Sequence, residues 1–381
     1  MPAVAPIATD GAPPASATVG PPVWSAAEQA WLVMRHADVA AVLRSSDFRT
    51  ADPAASVRDV LRRTGERADH LVAVLEGAAI FQGGDRHRAV RAELKRFVAA
   101  VAARWPEAAI DALAQRTLAP LRAGTTVDFM PAVCDAVPNA VAASALGLRI
   151  DEVEWLRDLA LQLSAAWRPL VPLREIRRLD EIAKTVRTFL VDRIGDAAAV
   201  ATIADTAGLS ATDLTLFMVT AVVETSSAAL GNAVDLLARR ADIQRRLRDE
   251  PSLVPAFVDE ALRLAGSTYR LNRRIALRDV ELGGVAIGAG APVILVIEAA
   301  HRDPDVYDAP DDVDLARAGP PLFAFGGGAH ACLGPHIATL ELVATVRRLV
   351  ERFELAPADE PARRRQSKDF RQFESLPIRL Y

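Results

Sequence analysis

Apolar positions recur at helical spacing through most of the chain. In HADVAAVLRSS, Val39, Val42 and Leu43 share one helical face. NAVDLLARRADIQRRLRDEP places Val234, Leu237 and Leu247 near one face, and Pro251 stops the run. LVPAFVDEALRLAG predicts a further helix, ended by Gly266, and an apolar helix begins near Leu214. HIATLELVATVRRLVERF carries Ile337, Leu340, Val343, Val346, Leu349 and Val350 as a stripe. Pro335, just ahead of it, suits the first turn of a helix, where a missing N–H loses no partner. One stretch departs from this period. RDVELGGVAIGAGAPVILVIEAA alternates and carries Gly283-Gly284 and Gly288-Ala289-Gly290, which predicts short strands joined by turns. The predicted fold class is mainly α with a small β portion.

Composition sharpens this picture at three points. Residues 1–22 hold six prolines among Ala, Ser, Thr and Gly, with little to bury, and are expected to form a flexible leader. No later Pro/Gly/Ser-rich linker cuts the chain, so residues 23–381 are expected to form a single domain. The net charge of −4 over 381 residues argues against a nucleic-acid binder, which carries a basic excess. Two cysteines, Cys134 and Cys332, make no disulfide framework and fit a reducing, cytoplasmic setting. No secretory signal is recognisable. No membrane span is expected either, because the longest apolar run, LTLFMVTAVV, breaks at Glu224, short of about 18 residues.

The chain has no Walker phosphate loop, no HExxH, no GxSxG and no paired CxxC. The glycines at 283–290 read as strand turns and do not form a dinucleotide fingerprint. The chemistry concentrates in FAFGGGAHACLG, residues 323–334. Cys332 lies just ahead of a predicted helix N-terminus, whose partial positive charge and free N–H groups stabilise a thiolate. Gly326, Gly327, Gly328 and Gly334 let the backbone turn tightly and approach something large and flat. An isolated cysteine is usually a small buried hydrophobe, and Cys134, in CDAVPNA, is read that way. A thiolate held as Cys332 is makes a good iron ligand.

The string FGGGAHACLG, Phe325 to Gly334, resembles the haem-binding loop of the cytochrome P-450 family, FGxGxHxCxG, at every specified position. The resemblance extends over residues 24–381. EALR resembles the family's ExxR helix, which implies a buried structural triad of Glu260, Arg263 and Arg317. Taken alone, Glu260 and Arg263 read as an exposed i, i+3 pair. TAVVETSS resembles the oxygen-binding helix AGx(D/E)T(T/S), matching at Ala221, Glu224, Thr225 and Ser226. The resemblance gives Glu224 and Thr225 the delivery of protons to dioxygen. The residues alone also permit Thr225 to bond back to a carbonyl, with Glu224 on a solvated face. Val222 stands where the family usually has the glycine that lets this helix bulge. A branched side chain is expected to stiffen the position and fill the oxygen pocket beside Ala221. His87 and Arg91 match HxxxR, although the usual Pro-Pro-Glu before the histidine is Gly84-Asp85-Arg86 here. With Arg274 and His330 they are implied as partners of the haem propionates. Arg273, next to Arg274, leaves that register open by one.

The resemblance implies the single-domain cytochrome P-450 fold, with haem b between the oxygen-binding helix and the cysteine loop and Cys332 as axial ligand. It implies a haem-thiolate monooxygenase that places one atom of O2 in a small hydrophobic substrate and releases the other as water. Electrons would come from NAD(P)H through a separate ferredoxin reductase and ferredoxin, steered by a basic patch at Arg88, Lys95, Arg347 and Arg348. Val222 keeps open an alternative: desaturation, ring formation or peroxide-driven chemistry, or a haem-based binding or sensing role. Residues 155–195 carry no pattern that names a substrate.

Overall fold

The computed structural model describes residues 19–194, 210–367 and 369–381. Residues 1–18 of the expected leader lie outside the described residues. Backbone proximity divides the chain into two compact units. The first takes the residues up to Arg49, with Glu107–Val137 and Ser226–Tyr381; the second takes Thr50–Pro106 and Pro138–Thr225.

The first unit holds the β portion. Its largest sheet runs Val23–Ser25, Ala30–Val33, Pro292–Leu295, Arg274–Ala276 and Phe48–Thr50, in that order. Ala30–Val33 pairs parallel with Pro292–Leu295, and Arg274–Ala276 pairs antiparallel with the same strand, setting Arg274 opposite Val293. The alternating stretch forms the expected hairpin, Val280–Leu282 against Val285–Ile287. Gly283 and Gly284 both sit at positive φ in its two-residue turn.

The helices of this unit follow the apolar stripes. Val39, Val42 and Leu43 are buried on His36–Arg44. Val234 and Leu237 are buried on Thr225–Ala238, and Leu247 on Ala241–Asp249. On Pro335–Arg352, Ile337, Val343, Val346, Leu349 and Val350 are buried, while Leu340 stays half-buried. The last three of these helices, with Val254–Ala265 and the strands Leu355–Pro357 and Pro377–Leu380, enclose one apolar core, in which Cys134 is fully buried, whereas His36–Arg44 packs into a second cluster with the largest sheet.

The second unit is helical. Asp52 caps Pro53–Thr64 by accepting from the Ala55 amide, and Pro53 occupies the first turn. Asp69–Gly77 packs on Leu173–Ile194 and on Ala211–Val219. That contact is close enough that a Cβ on Gly77 would lie 2.5 Å from the Asp213 Cβ. One sequence expectation is corrected here. Ala211–Ala238 is long and apolar enough to cross a membrane, and 72% of its apolar window is buried inside the protein. The run read as too short is lengthened by Ala, Ser and Thr, which pack as apolar residues once buried.

Leu349→Ala, at a fully buried position, is expected to lower the unfolding free energy by about 2–5 kcal/mol. Leu340→Ala, on the half-buried edge of the same helix, should cost clearly less. Denaturant unfolding of both variants checks the assignment.

Candidate functional site

The first unit gathers the cysteine loop and the Glu/Arg cluster. On Val254–Ala265, Arg263 donates from Nε to Glu260 Oε1 (2.7 Å) and from Nη2 to Oε2 (2.9 Å). Arg317 Nε reaches Glu260 Oε1 at 3.1 Å, and the Asp314 amide donates to Oε2 at 2.9 Å. The remaining Arg263 donors meet the carbonyls of His301, Pro310 and Asp312. Glu260 and Arg263 are buried, so the solvated i, i+3 pair is excluded. Burial alone would raise the Glu260 carboxyl. Arg263, the Asp314 amide and Arg317 together hold it below the usual carboxylate range.

The loop from Phe323 to Gly334 is tied by its own backbone. Gly326 N–H donates to Phe323 O and Cys332 N–H to Phe325 O, each at 2.8 Å. Cys332 is exposed, and the Gly334 amide, at the start of Pro335–Arg352, donates to its Sγ at 3.3 Å. Phe325 and His330 are half-buried. Gly328 is required by the protein itself. Its φ is +63°, and a Cβ there would fall 1.8 Å from the Leu43 carbonyl oxygen. Of the two roles expected of these glycines, tight turning and close approach, Gly328 serves the turn and also lets the loop settle on the helix His36–Arg44.

The second unit carries the other residues. His87 and Arg91 lie one turn apart on Gly84–Arg104, His87 buried and Arg91 half-buried. Burial, and after it the Arg91 charge, holds the His87 imidazole below its ordinary value. Glu224 does not face solvent. It is buried and accepts from Arg157 Nε at 3.0 Å. Thr225 Oγ donates to the Ala221 carbonyl at 2.8 Å, so the local bond permitted by sequence does form. The stiffening expected from Val222 is corrected: Thr220–Glu224 is a π turn with Val222 inside it. Thr220 Oγ donates to Leu216 O at 3.0 Å, and the two threonine hydroxyls bracket the wide turn by entering the carbonyl ladder. Ala221 is exposed and Val222 half-buried.

A family model described as Cytochrome P450 matches residues 205–377. Nocardicin C N-oxygenase of Nocardia uniformis subsp. tsuyamanensis is 31% identical over 371 residues, covering 92% of this chain and 89% of that protein. The chain belongs to the cytochrome P450 family. Its mostly helical fold with small sheets matches solved P450 structures over nearly the full length. CalO2 matches at TM-score 0.82 and 26% identity, over 95% of this chain and 93% of that one. The tirandamycin C-bound P450 monooxygenase TamI matches at TM-score 0.77 and 25% identity, over 92% and 90%. The protein is a P450 monooxygenase, and haem is the family's cofactor.

Features of the first unit of this P450 fit a haem. Arg274 is buried, and its guanidinium has no carboxylate partner among the described residues. Its one described bond is to the Asn272 carbonyl at 3.3 Å, and burial pushes it down to about 10. A buried cation in that state suits an acidic ligand group. Arg273 instead turns to the carbonyls of Glu28 (2.9 Å) and Gln29 (3.4 Å). Gly334 has an ordinary φ of −108°, and a Cβ there would meet nothing within 4 Å. No atom of the described residues demands glycine at Gly334, so the space beside the Cys332 sulfur is open.

The basic patch is largely neutralised. Arg347 meets Glu107 at 3.4 Å, and Arg348 meets Asp111 and Glu351, each at 2.9 Å. In the second unit Arg88 pairs with Asp85. Sequence reading also missed two buried groups. Arg157 lay in a stretch without a readable pattern. Glu341 lay inside an apolar stripe, where a single acid does not disturb the period. It is 1% exposed, and neither carboxyl oxygen has a partner in hydrogen-bond geometry among the described residues. Burial pushes it up to about 8, with Ser226 beside it offsetting only part of this.

Glu260→Ala, which strands Arg263 as an unpaired buried charge, is expected to cost about 3–5 kcal/mol in denaturant unfolding. Glu341 contributes to a pH dependence of known sign. Its folded value, about 8, lies above the unfolded 4.5, so its contribution is full below pH 4.5 and is lost as pH rises toward 8. Unfolding midpoints should therefore fall less steeply across that window in Glu341→Gln than in the wild type.

Proposed function

We propose that this P450 hydroxylates a small hydrophobic compound of specialised metabolism. Electrons would pass from NAD(P)H through a separate ferredoxin reductase and ferredoxin, in the cytoplasm. The observation that carries the substrate class is the π turn, where apolar Ala221 and Val222 are incompletely buried beside Glu224 and Thr225. The names of nocardicin C N-oxygenase and tirandamycin C-bound TamI support the metabolic setting.

In this reading residues 23–381 serve as one haem-binding domain. Haem bound through a cysteine thiolate supplies the activation of O2, because the thiolate pushes electron density to the iron and favours O–O cleavage. Cys332 provides that thiolate, stabilised by the Gly334 amide and the start of the helix Pro335–Arg352. Phe325 and Gly334 flank it. His87, Arg91, Arg274 and His330 bind the two propionates, four donors for two carboxylates. Glu260, Arg263 and Arg317 hold the segment that leads into the loop. Thr225 would offer a hydroxyl proton to bound dioxygen on turning away from the Ala221 carbonyl, and Glu224, oriented by Arg157, would pass protons to it after taking one up itself.

A second reading rests on Val222, a branched residue where the family usually has glycine. There the same groups serve desaturation, ring formation or peroxide-driven chemistry, or ligand binding alone.

The reduced CO complex of the purified protein is expected to show the Soret position of thiolate ligation, and Cys332→Ala should abolish it. A haem-free wild type would sink the proposal. A spectral-shift screen of terpenoid, polyketide and fatty-acid-like compounds then identifies ligands, and turnover is measured with ferredoxin, reductase and NAD(P)H. Substrate-dependent turnover supports the hydroxylase; a shift without it, or turnover with peroxide alone, supports the second reading.

A further inference from the structure

His301 is 1% exposed and lies just after the short helix Ile297–Ala300. Its Nδ1 is 3.1 Å from the Arg263 carbonyl oxygen, and its Nε2 is 2.8 Å from the Phe323 amide nitrogen. A carbonyl only accepts and an amide N–H only donates, so the geometry fixes a neutral imidazole with its proton on Nδ1. One side chain thus links the last turn of the Glu260/Arg263 helix to the first residue of the cysteine loop. From Phe323 the bonds run on to Gly326, and from Phe325 to Cys332. The His301 and Phe323 rings are parallel within 7°, with centroids 6.0 Å apart, and His36 packs on Phe323 at 4.4 Å.

We propose that His301 is a positioning residue for the Cys332 thiolate: its Nδ1-protonated imidazole anchors Phe323 to the Arg263 carbonyl and so sets the seat of the whole loop. This rests on the reading of Cys332 as the haem ligand and adds a residue that the family motif does not specify. The groups around the ring keep it neutral. Burial, then Arg263, His36 and Arg302, disfavour the cation and hold it at about 3, the Arg263 carbonyl offsetting part of this. Glu298, which also borders this region, is engaged by Arg302 and Arg371. A proton on Nε2 would set two donors against each other and release Phe323. Because the folded value lies below the unfolded 6.5, this contribution is present above pH 6.5 and is lost as pH falls toward 3.

The test uses the full-length holoprotein and four forms of residue 301. His301→Phe keeps a ring but neither bond, whereas His301→Asn and His301→Gln offer an amide that donates and accepts without titrating. We expect His301→Phe to raise the ratio of thiol-type to thiolate-type CO complex roughly tenfold, as for a buried donor left without its acceptor. At least one amide variant should restore the wild-type ratio at neutral pH and flatten its rise on acidification below pH 6.5. Imidazole 15N shifts of the wild type, with and without haem, should report Nδ1 protonated at pH 7 and no titration near 6.5. An Nε2-protonated ring, or a His301→Phe protein with an unchanged CO complex, overturns the proposal. A wild type that never forms a thiolate CO complex overturns instead the reading of Cys332, which the 15N measurement does not touch.

Discussion

The cysteine loop of this P450 hangs on the buried pair of Glu260 and Arg263. Taking two ions out of water is expensive, and their attraction offsets that only when the remaining donors and acceptors are also used. Here they are. Glu260 accepts from Arg263, Arg317 and the Asp314 amide. Arg263 spends its other donors on the carbonyls of His301, Pro310 and Asp312. These carbonyls belong to an irregular stretch, and the ion pair gives that stretch a fixed surface to hang from. The Arg263 carbonyl then accepts from His301, and His301 receives the amide of Phe323, where the loop begins.

Four buried or half-buried ionisable sites show how differently the same cost is met. Glu224 is matched by Arg157. Glu341, beside Ser226, meets no cation among the described residues, and burial pushes it up to about 8. His301 is neutral because its two ring nitrogens are fully used by backbone groups. Arg274 meets no carboxylate among the described residues, and burial lowers its pKa to about 10.

Much of this was legible in the order of residues. The loop motif, the Glu/Arg spacing, the apolar stripe of Pro335–Arg352 and the Gly283-Gly284 hairpin are local patterns, and each formed where the period or the turn chemistry placed it. What was not legible has one cause, partners that lie outside the local pattern. The stiffness of Val222 does not prevent the π turn, which the hydroxyls of Thr220 and Thr225 bracket. For Glu224 the residues alone leave a solvated face open beside the proton relay that the resemblance implies, and Arg157, sixty-seven residues earlier, is what excludes the solvated face. Gly328 has the turning role expected of it, and the carbonyl of Leu43, distant in sequence, adds a second reason why no side chain fits there.

By itself the sequence determined the chemistry and the elements. A thiol ahead of a helix N-terminus, glycines at set intervals and a Glu/Arg pair one turn apart follow from spacing along one chain, because helix and turn geometry act over a few residues. Only the tertiary structure decided which charges are paired and which are neutral. Those outcomes depend on burial and on partners from distant segments, as His301 with Arg263 and Phe323 or Arg348 with Asp111. Electrostatic free energy is set by distance and surroundings in space, and neither is written in separation along the chain.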